Sequence, residues 1–196
     1  MLRILAEALH HDLCALGIEI IDACSQDNIP SLYQIFHTSY GIPSVCVADA
    51  DHKEKVKNFL KQIAPTLARK IESNSDEWAS LINAVNSHNY YCCPPGQSIE
   101  ALLAADVPDL VDRYFSDIRE PSLNDWKNDP ATRDNKVRGG KKRSELSDTE
   151  ARVCRLEDCK TAFPREIAGL LAKTPERIPS YLRQAIERAV ALAKGE

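Results

Sequence analysis

The chain has 196 residues, of which 43% are hydrophobic and 28% are charged, and its formal net charge is -4 at pH 7. This composition is that of an ordinary globular protein that is long enough to bury a sizeable core. The weakly acidic net charge does not suggest nucleic acid as a partner. It does not exclude one either, because a local basic strip can lie beside an acidic metal site without making the net charge positive.

Seven cysteines lie mostly within apolar runs, and none of them forms a C-x-x-C pair. This usage is typical of small buried side chains in a reducing compartment, and it argues against a zinc site. The sequence has neither a signal peptide nor an apolar stretch long enough to span a bilayer. We therefore expect a cytoplasmic protein with no membrane partner.

The first half of the chain alternates predicted helices and strands. Leucines at helical spacing predict an opening amphipathic helix up to about Gly17, and residues 18–21 predict a short strand. Pro30 falls in the first turn of a second predicted helix, and the apolar, partly β-branched run 45–48 predicts a buried strand. Strand, helix and strand in this order predict a right-handed crossover and a parallel sheet.

Two helical stretches follow, and after them comes a third predicted strand at 90–93. The next predicted helix carries Glu100 in its first turn. Residues 117–148 are rich in Asp, Asn, Lys, Arg and Gly, and two amphipathic helices close the chain. We predict an α/β core over 1–116, a polar loop or linker over 117–148, and a helical segment over 149–196 that completes the domain.

Asp49 and Asp51 follow the predicted strand at 45–48 directly. Carboxylates at i and i+2 point to the same side of a strand, and the carboxyl end of a strand is where open α/β sheets place their chemistry. Two close carboxylates repel each other unless a cation or a shared proton intervenes, which favours an oxygen-liking ion such as Mg²⁺ or Mn²⁺. A solvated acidic turn is the alternative, and the dipeptide alone leaves it open.

Several short motifs occur in a characteristic order along the chain. They are Gly-Ile-Glu-Ile-Ile at 17–21, Asn-Ile-Pro at 28–30, Gly-Ile-Pro at 41–43, Asp-Ala-Asp at 49–51, Ser-Ile-Glu at 98–100 and Lys-Thr-Ala-Phe at 160–163. This series resembles the C-terminal Toprim domain of the OLD family, the overcoming-lysogenization-defect nucleases. The resemblance covers most of the chain outside 117–148. It implies an α/β fold with a Toprim-like, mostly parallel sheet flanked by helices and a C-terminal helical extension.

The resemblance also implies a two-metal DNA endonuclease that uses Mg²⁺ or Mn²⁺, with Ca²⁺ as a further candidate. Asp49 and Asp51 match the acidic pair that ligates metal in the family, and Glu100, with Ser98 beside it, matches the later acidic ligand. Lys160 matches the catalytic basic residue that steadies the scissile phosphate. Two divalent ions about 4 Å apart can stabilise the attacking and leaving oxygens of a phosphodiester, so no side-chain nucleophile is needed.

The sequence departs from the family pattern at its beginning. Family members carry an earlier strand that ends in a Glu-Gly-x-x-Glu-like motif, whereas this sequence begins where the following helix is expected, with Glu7 inside that helix. It also has no phosphate-binding loop of the type G-x-x-x-x-G-K-[ST]. We expect DNA as a partner if the domain is active, and an ATPase domain or subunit encoded upstream or separately; a homodimer is left open.

Two other functions are compatible with these residues. The missing glutamate motif leaves open a non-catalytic Toprim remnant that serves as a binding or assembly module. Phosphotransfer of the haloacid-dehalogenase kind also uses an Asp-x-Asp pair after a buried strand, but the residues at 52–54, His-Lys-Glu, do not suit it. A basic run is either a grip on the DNA backbone or a mobile solvated loop: Lys136, Arg138, Lys141, Lys142 and Arg143.

Overall fold

The computed structural model describes residues 1–49, 53–72, 77–159 and 163–196. This part of the chain contains short 3-10 turns, a π-helical segment at Gln34–Ser39 that continues the helix Ile29–Tyr33, eleven α-helices and two β-strands. In chain order they are α1 Leu2–Ala8, α2 Ile29–Tyr33, β1 Cys46–Ala48, α3 Lys53–Ile63, α4 Pro65–Glu72, α5 Glu77–Asn86, β2 Tyr90–Cys92, α6 Ile99–Asp106, α7 Pro108–Asp117, α8 Leu123–Asn128, α9 Asp148–Asp158, α10 Phe163–Leu171 and α11 Ser180–Lys194. The predicted α/β class is confirmed.

The chain forms two compact units. Met1–Leu9 and Ile99–Ile178 form the helical unit, and His10–Ser98 and Pro179–Glu196 form the sheet unit. The predicted boundaries at 116 and 148 stay a prediction, because these units describe packing within the chain and not independent folding. No helix in the described ranges is both long enough and apolar enough to cross a membrane.

The sheet unit is built on two parallel strands. β1 pairs with β2 in a register that places Cys46 opposite Tyr90 and Ala48 opposite Cys92. The Cys93 amide extends the ladder by donating to the Ala48 carbonyl at 3.4 Å. This confirms the strands predicted at 45–48 and 90–93 and a parallel sheet, although the parallel crossover was predicted between 18–21 and 45–48 and the observed partner of 45–48 is 90–92. The residues of β1 are half-buried, however, and not fully buried as the apolar run predicts.

Helices α3, α5 and α11 pack against this sheet or against one another beside it. The amphipathic pattern of α3 buries Val56, Phe59 and Leu60. The Phe59 ring lies 4.3 Å from that of Tyr90 and 5.4 Å from that of Tyr33, measured between ring centroids. These aromatic contacts attach α2 and α3 to β2 and fix the sheet within the core.

The predicted strand at 18–21 is wrong, and the opening helix is shorter than predicted. Helix α1 ends at Ala8, and His10 adopts a left-handed conformation with a φ of 65°. Residues 18–21 have no regular secondary structure, and Ile20 and Ile21 are 42% and 56% exposed. A strand needs a neighbour for its backbone N–H and C=O groups, and among the described residues this segment has none.

The helical unit consists of α1 and α6 to α10. Helix α6 packs on α9, and α7 packs on both α9 and α10. Arg152 in α9 donates to both carboxylate oxygens of Asp112 in α7, from Nε at 2.9 Å and from Nη2 at 2.7 Å. The closing amphipathic helices predicted from the sequence are confirmed as α10 and α11, although α11 belongs to the sheet unit.

The interval 117–148 is more ordered than its polar composition suggests. It contains α8, and a small apolar cluster forms from Trp126, Leu146, Ala151 and Cys154. The guanidinium of Arg143 lies 4.1 Å from the centre of the Trp126 ring. Trp126 and Leu146 therefore attach this interval to α9 by packing on Ala151 and Cys154, and the cation–π contact joins two residues within the interval.

Glu150 stabilises the beginning of α9. Its backbone N–H donates to Ser147 Oγ at 3.2 Å, while its carboxylate accepts from the Ser147 backbone N–H at 2.8 Å and from Lys141 Nζ at 2.6 Å. This is a capping box with an added cation. The Lys141 ammonium and the Ser147 donors lower the pKa of Glu150 from 4.5 to about 2.

Replacing Leu60 by alanine tests the core of the sheet unit. Leu60 is fully buried in α3, so we expect Leu60→Ala to lower the free energy of unfolding by about 2–5 kcal/mol. The exposed neighbour Gln62 provides the control, and Gln62→Ala should change it by less than about 0.5 kcal/mol. Equal stability of the two variants in urea unfolding would contradict this packing.

The capping box predicts a pH-dependent difference between the wild type and Glu150→Gln. Because the pKa is depressed in the folded state, the carboxylate contributes its full stabilisation above about pH 4.5 and loses it as the pH falls toward about 2. The melting temperatures of the two proteins should therefore converge over this window in thermal unfolding. When both proteins also carry Lys141→Ala, the folded-state pKa of Glu150 is depressed less, so the convergence should be complete at a higher pH. A constant difference from neutral pH down to about pH 2 would refute the assignment.

Candidate functional site

Asp49 follows β1 directly and is half-buried. Cys93 follows β2 directly and is completely buried. Because the two strands are parallel and in register, their carboxyl ends lie at the same edge of the sheet, which brings these two side chains together. The candidate site of the sheet unit is this edge.

The Asp49 carboxylate accepts a hydrogen bond from Cys93. The distance from Cys93 Sγ to Asp49 Oδ1 is 3.7 Å. Tyr181 in α11 hydrogen-bonds the same thiol. Burial raises the pKa of the Cys93 thiol to about 12 and raises that of Tyr181, so both groups are protonated at neutral pH. The phenol therefore donates to sulfur, and the thiol donates to the carboxylate.

Gln26 holds the backbone at the same point. Its Nε2 donates to the carbonyl oxygen of Asp49 at 2.8 Å and to the hydroxyl of Tyr90 at 2.9 Å. Gln26 begins a 3-10 helix, Gln26–Asn28, which is capped by Ser25 Oγ accepting from the Asp27 backbone N–H at 3.2 Å. The main chain and the side chain of Asp49 are thus fixed by different neighbours.

Glu100 lies in the first turn of α6, as predicted, and only 6% of it is exposed. A carboxylate in this position is favoured by the positive end of the helix dipole. Glu100 belongs to the helical unit and Asp49 to the sheet unit, and each is described within its own unit. The convergence of the acidic residues expected from the sequence stays a prediction.

The other two predicted site residues, Asp51 and Lys160, lie outside the described residues. Within the described ranges, no group of three or more His, Cys, Asp or Glu side chains forms a cluster able to hold a metal ion. The predicted metal set needs Asp51 in addition to Asp49 and Glu100, so this observation does not test it.

The donor chemistry at the sheet edge fits a hard divalent cation. Asp49 offers carboxylate oxygens, which Mg²⁺ and Mn²⁺ prefer. Burial raises the pKa of each of the nearby thiols Cys46, Cys92 and Cys93 to about 12, so they do not present thiolates at neutral pH. A softer ion that requires thiolate ligands is disfavoured here.

The basic run between Lys136 and Arg143 is a structured turn and not a mobile loop. Lys136 and Lys142 form an antiparallel bridge, and the Lys142 ammonium lies 3.0 Å from a carboxylate oxygen of Asp134. Lys141 is paired with Glu150, and Arg143 donates to Thr132 Oγ1 at 2.7 Å. These three cations are held by the protein's own acceptors, which weakens the expectation that they grip a DNA backbone as flexible groups.

Sequence reasoning missed Gln26, Cys93 and Tyr181 as neighbours of Asp49. Cys93 could have been found, because it ends the strand predicted at 90–93, while Asp49 directly follows the strand predicted at 45–48. Gln26 and Tyr181 carry no such signal, since their positions depend on how a 3-10 turn and the last helix pack.

Two solved structures share this fold. Both are of the C-terminal region of the OLD protein of Xanthomonas campestris pv. campestris, one phased with mercury and the other with platinum. The first has a TM-score of 0.60 and 18% sequence identity and covers 98% of this chain and 89% of that one. The second has a TM-score of 0.61 and 16% identity, with coverage of 98% and 87%.

No protein-family model matches the sequence, and no curated protein sequence matches it either. At 16–18% identity, the structural similarity establishes the fold and leaves the chemistry to be argued from this chain's own residues. The chain is therefore similar over 98% of its length to the C-terminal region of an OLD protein.

Proposed function

We propose that this chain is an OLD-type Toprim domain that cleaves DNA by divalent-metal-dependent phosphodiester hydrolysis. The observation that carries the proposal is the position of Asp49. Its carboxylate stands at the carboxyl end of β1, beside the end of a parallel neighbour, in a fold shared with the C-terminal region of an OLD protein. The sequence resemblance assigns a metal ligand to this position.

In this proposal Asp49, Asp51 and Glu100 hold the metal. Asp49 directly follows β1 and Glu100 lies in the first turn of α6, so regular secondary structure fixes the backbone beside each of these two carboxylates within its own unit. Bound Mg²⁺ or Mn²⁺ would supply electrostatic stabilisation of the phosphate and an activated water. Lys160 would stabilise the negative charge that grows on the phosphate oxygens.

The first part of the test is plasmid nicking. The wild type should nick supercoiled plasmid when Mg²⁺ or Mn²⁺ is titrated in, and a chelator should stop the reaction. Asp49→Ala should lose metal-dependent nicking, because the site loses a charged ligand. Asp106 is an exposed acid at the end of α6, and Asp106→Ala, which removes the same charge, should keep the wild-type rate.

Lys160→Ala separates catalysis from binding. We expect its single-turnover rate to fall about 100-fold while Mn²⁺ affinity measured by calorimetry stays unchanged, because the lysine acts on the phosphate and not on the metal. No nicking with any divalent ion, or equal rates for the wild type and Asp49→Ala, would reject the nuclease. Mn²⁺ binding without cleavage would favour the binding or assembly module.

A further inference from the structure

We propose that Cys93, supported by Tyr181, is the positioning residue that orients the Asp49 carboxylate for metal binding. This inference rests on the proposed function, because it assigns a role at the same site. Neither residue belongs to the acidic and basic set that the sequence resemblance supplies.

A carboxylate at a strand end can rotate about its side-chain torsions. The backbone at Asp49 is held by the strand pairing that ends at Ala48 and by the Gln26 amide, and these main-chain contacts do not set the side-chain torsions of Asp49. A carboxylate binds a metal ion more tightly when its side-chain torsions are already set to the binding orientation, because less conformational entropy is lost on binding. The Cys93 thiol, 3.7 Å from Oδ1, donates to the carboxylate and so restricts these torsions.

The thiol itself has little freedom. Cys93 is completely buried, and Tyr181, only 8% exposed, donates to its sulfur from α11. Helix α11 packs on both strands of the sheet, so the phenol is carried by a rigid element. The three groups form a chain of hydrogen bonds from Tyr181 through Cys93 to Asp49, in which each bond polarises the next.

A thiol suits this role better than a stronger donor. An ammonium or guanidinium at the same distance would neutralise the carboxylate and compete with a cation for it. An S–H group is a weak donor, so it orients the oxygen while leaving most of its negative charge to the metal. The buried thiol can therefore orient the predicted metal ligand without neutralising it, which is a role that packing alone does not require.

The test measures Mn²⁺ affinity by calorimetry on the full chain. Cys93→Ala should bind Mn²⁺ about 10-fold more weakly than the wild type, as is typical when a partner of a metal ligand is lost. Tyr181→Phe, which removes only the hydroxyl, should lose less. Cys154→Ala makes the same chemical change at another buried cysteine, in α9, and should bind as the wild type does. Melting temperatures confirm that each variant is folded.

An infrared readout separates positioning from a general structural effect. Mn²⁺ draws electron density from the Asp49 carboxylate and weakens it as an acceptor, so the S–H stretching band of Cys93 should move to higher wavenumber when the ion binds. The shift should be absent in Cys93→Ala and Asp49→Ala and present in Cys154→Ala. If Cys93→Ala fails to fold, Tyr181→Phe, which leaves the thiol in place, still carries the affinity test.

The outcomes distinguish this inference from the proposed function. Wild-type Mn²⁺ affinity in Cys93→Ala and Tyr181→Phe, with binding lost in Asp49→Ala, would overturn the positioning role and leave the metal site standing. A metal-induced S–H band that persists in Cys93→Ala would overturn it equally. No Mn²⁺ binding by the wild-type chain would overturn both.

Discussion

The parallel pairing of β1 and β2 sets the position of everything at the candidate site. Each strand has three residues, and so small a sheet is not stable alone in water. It is held because Tyr90 packs against Phe59 of α3 and because α5 and α11 cover the strands. The relative position of Asp49 and Cys93 is therefore a product of helix packing as much as of strand hydrogen bonds.

The sequence predicts the two paired strands well and fails at 18–21 for one reason. Apolar β-branched or aromatic runs flanked by turn residues are local signals, and they identify the segments at 45–48 and 90–93. Residues 18–21 carry a similar signal, yet among the described residues they have no neighbouring strand. Pairing is a property of the whole fold, so a local pattern cannot supply it.

The candidate site divides in the same way. Asp49 and Glu100 are found from a strand end and a helix start, which are local features. Tyr181 joins the site only because α11, at the end of the chain, packs back on the sheet. The sequence also does not show that the interval 117–148 is ordered, because its apolar residues are few among many polar ones. Trp126 and Leu146 are nevertheless large enough to anchor the interval by burial.

The route of the chain links the site to the last helix. Ile99–Ile178 of the helical unit lies in sequence between the strands and α11, so the sheet unit is complete only after Pro179–Glu196 has returned to it. Contacts of such large sequence separation form late, because the loop-closure entropy must be overcome first. Cys93 lies in the same segment of the sheet unit as Asp49, so the thiol is brought to the carboxylate by the pairing of β1 and β2, whereas the phenol of Tyr181 joins them only after α11 has packed on the sheet.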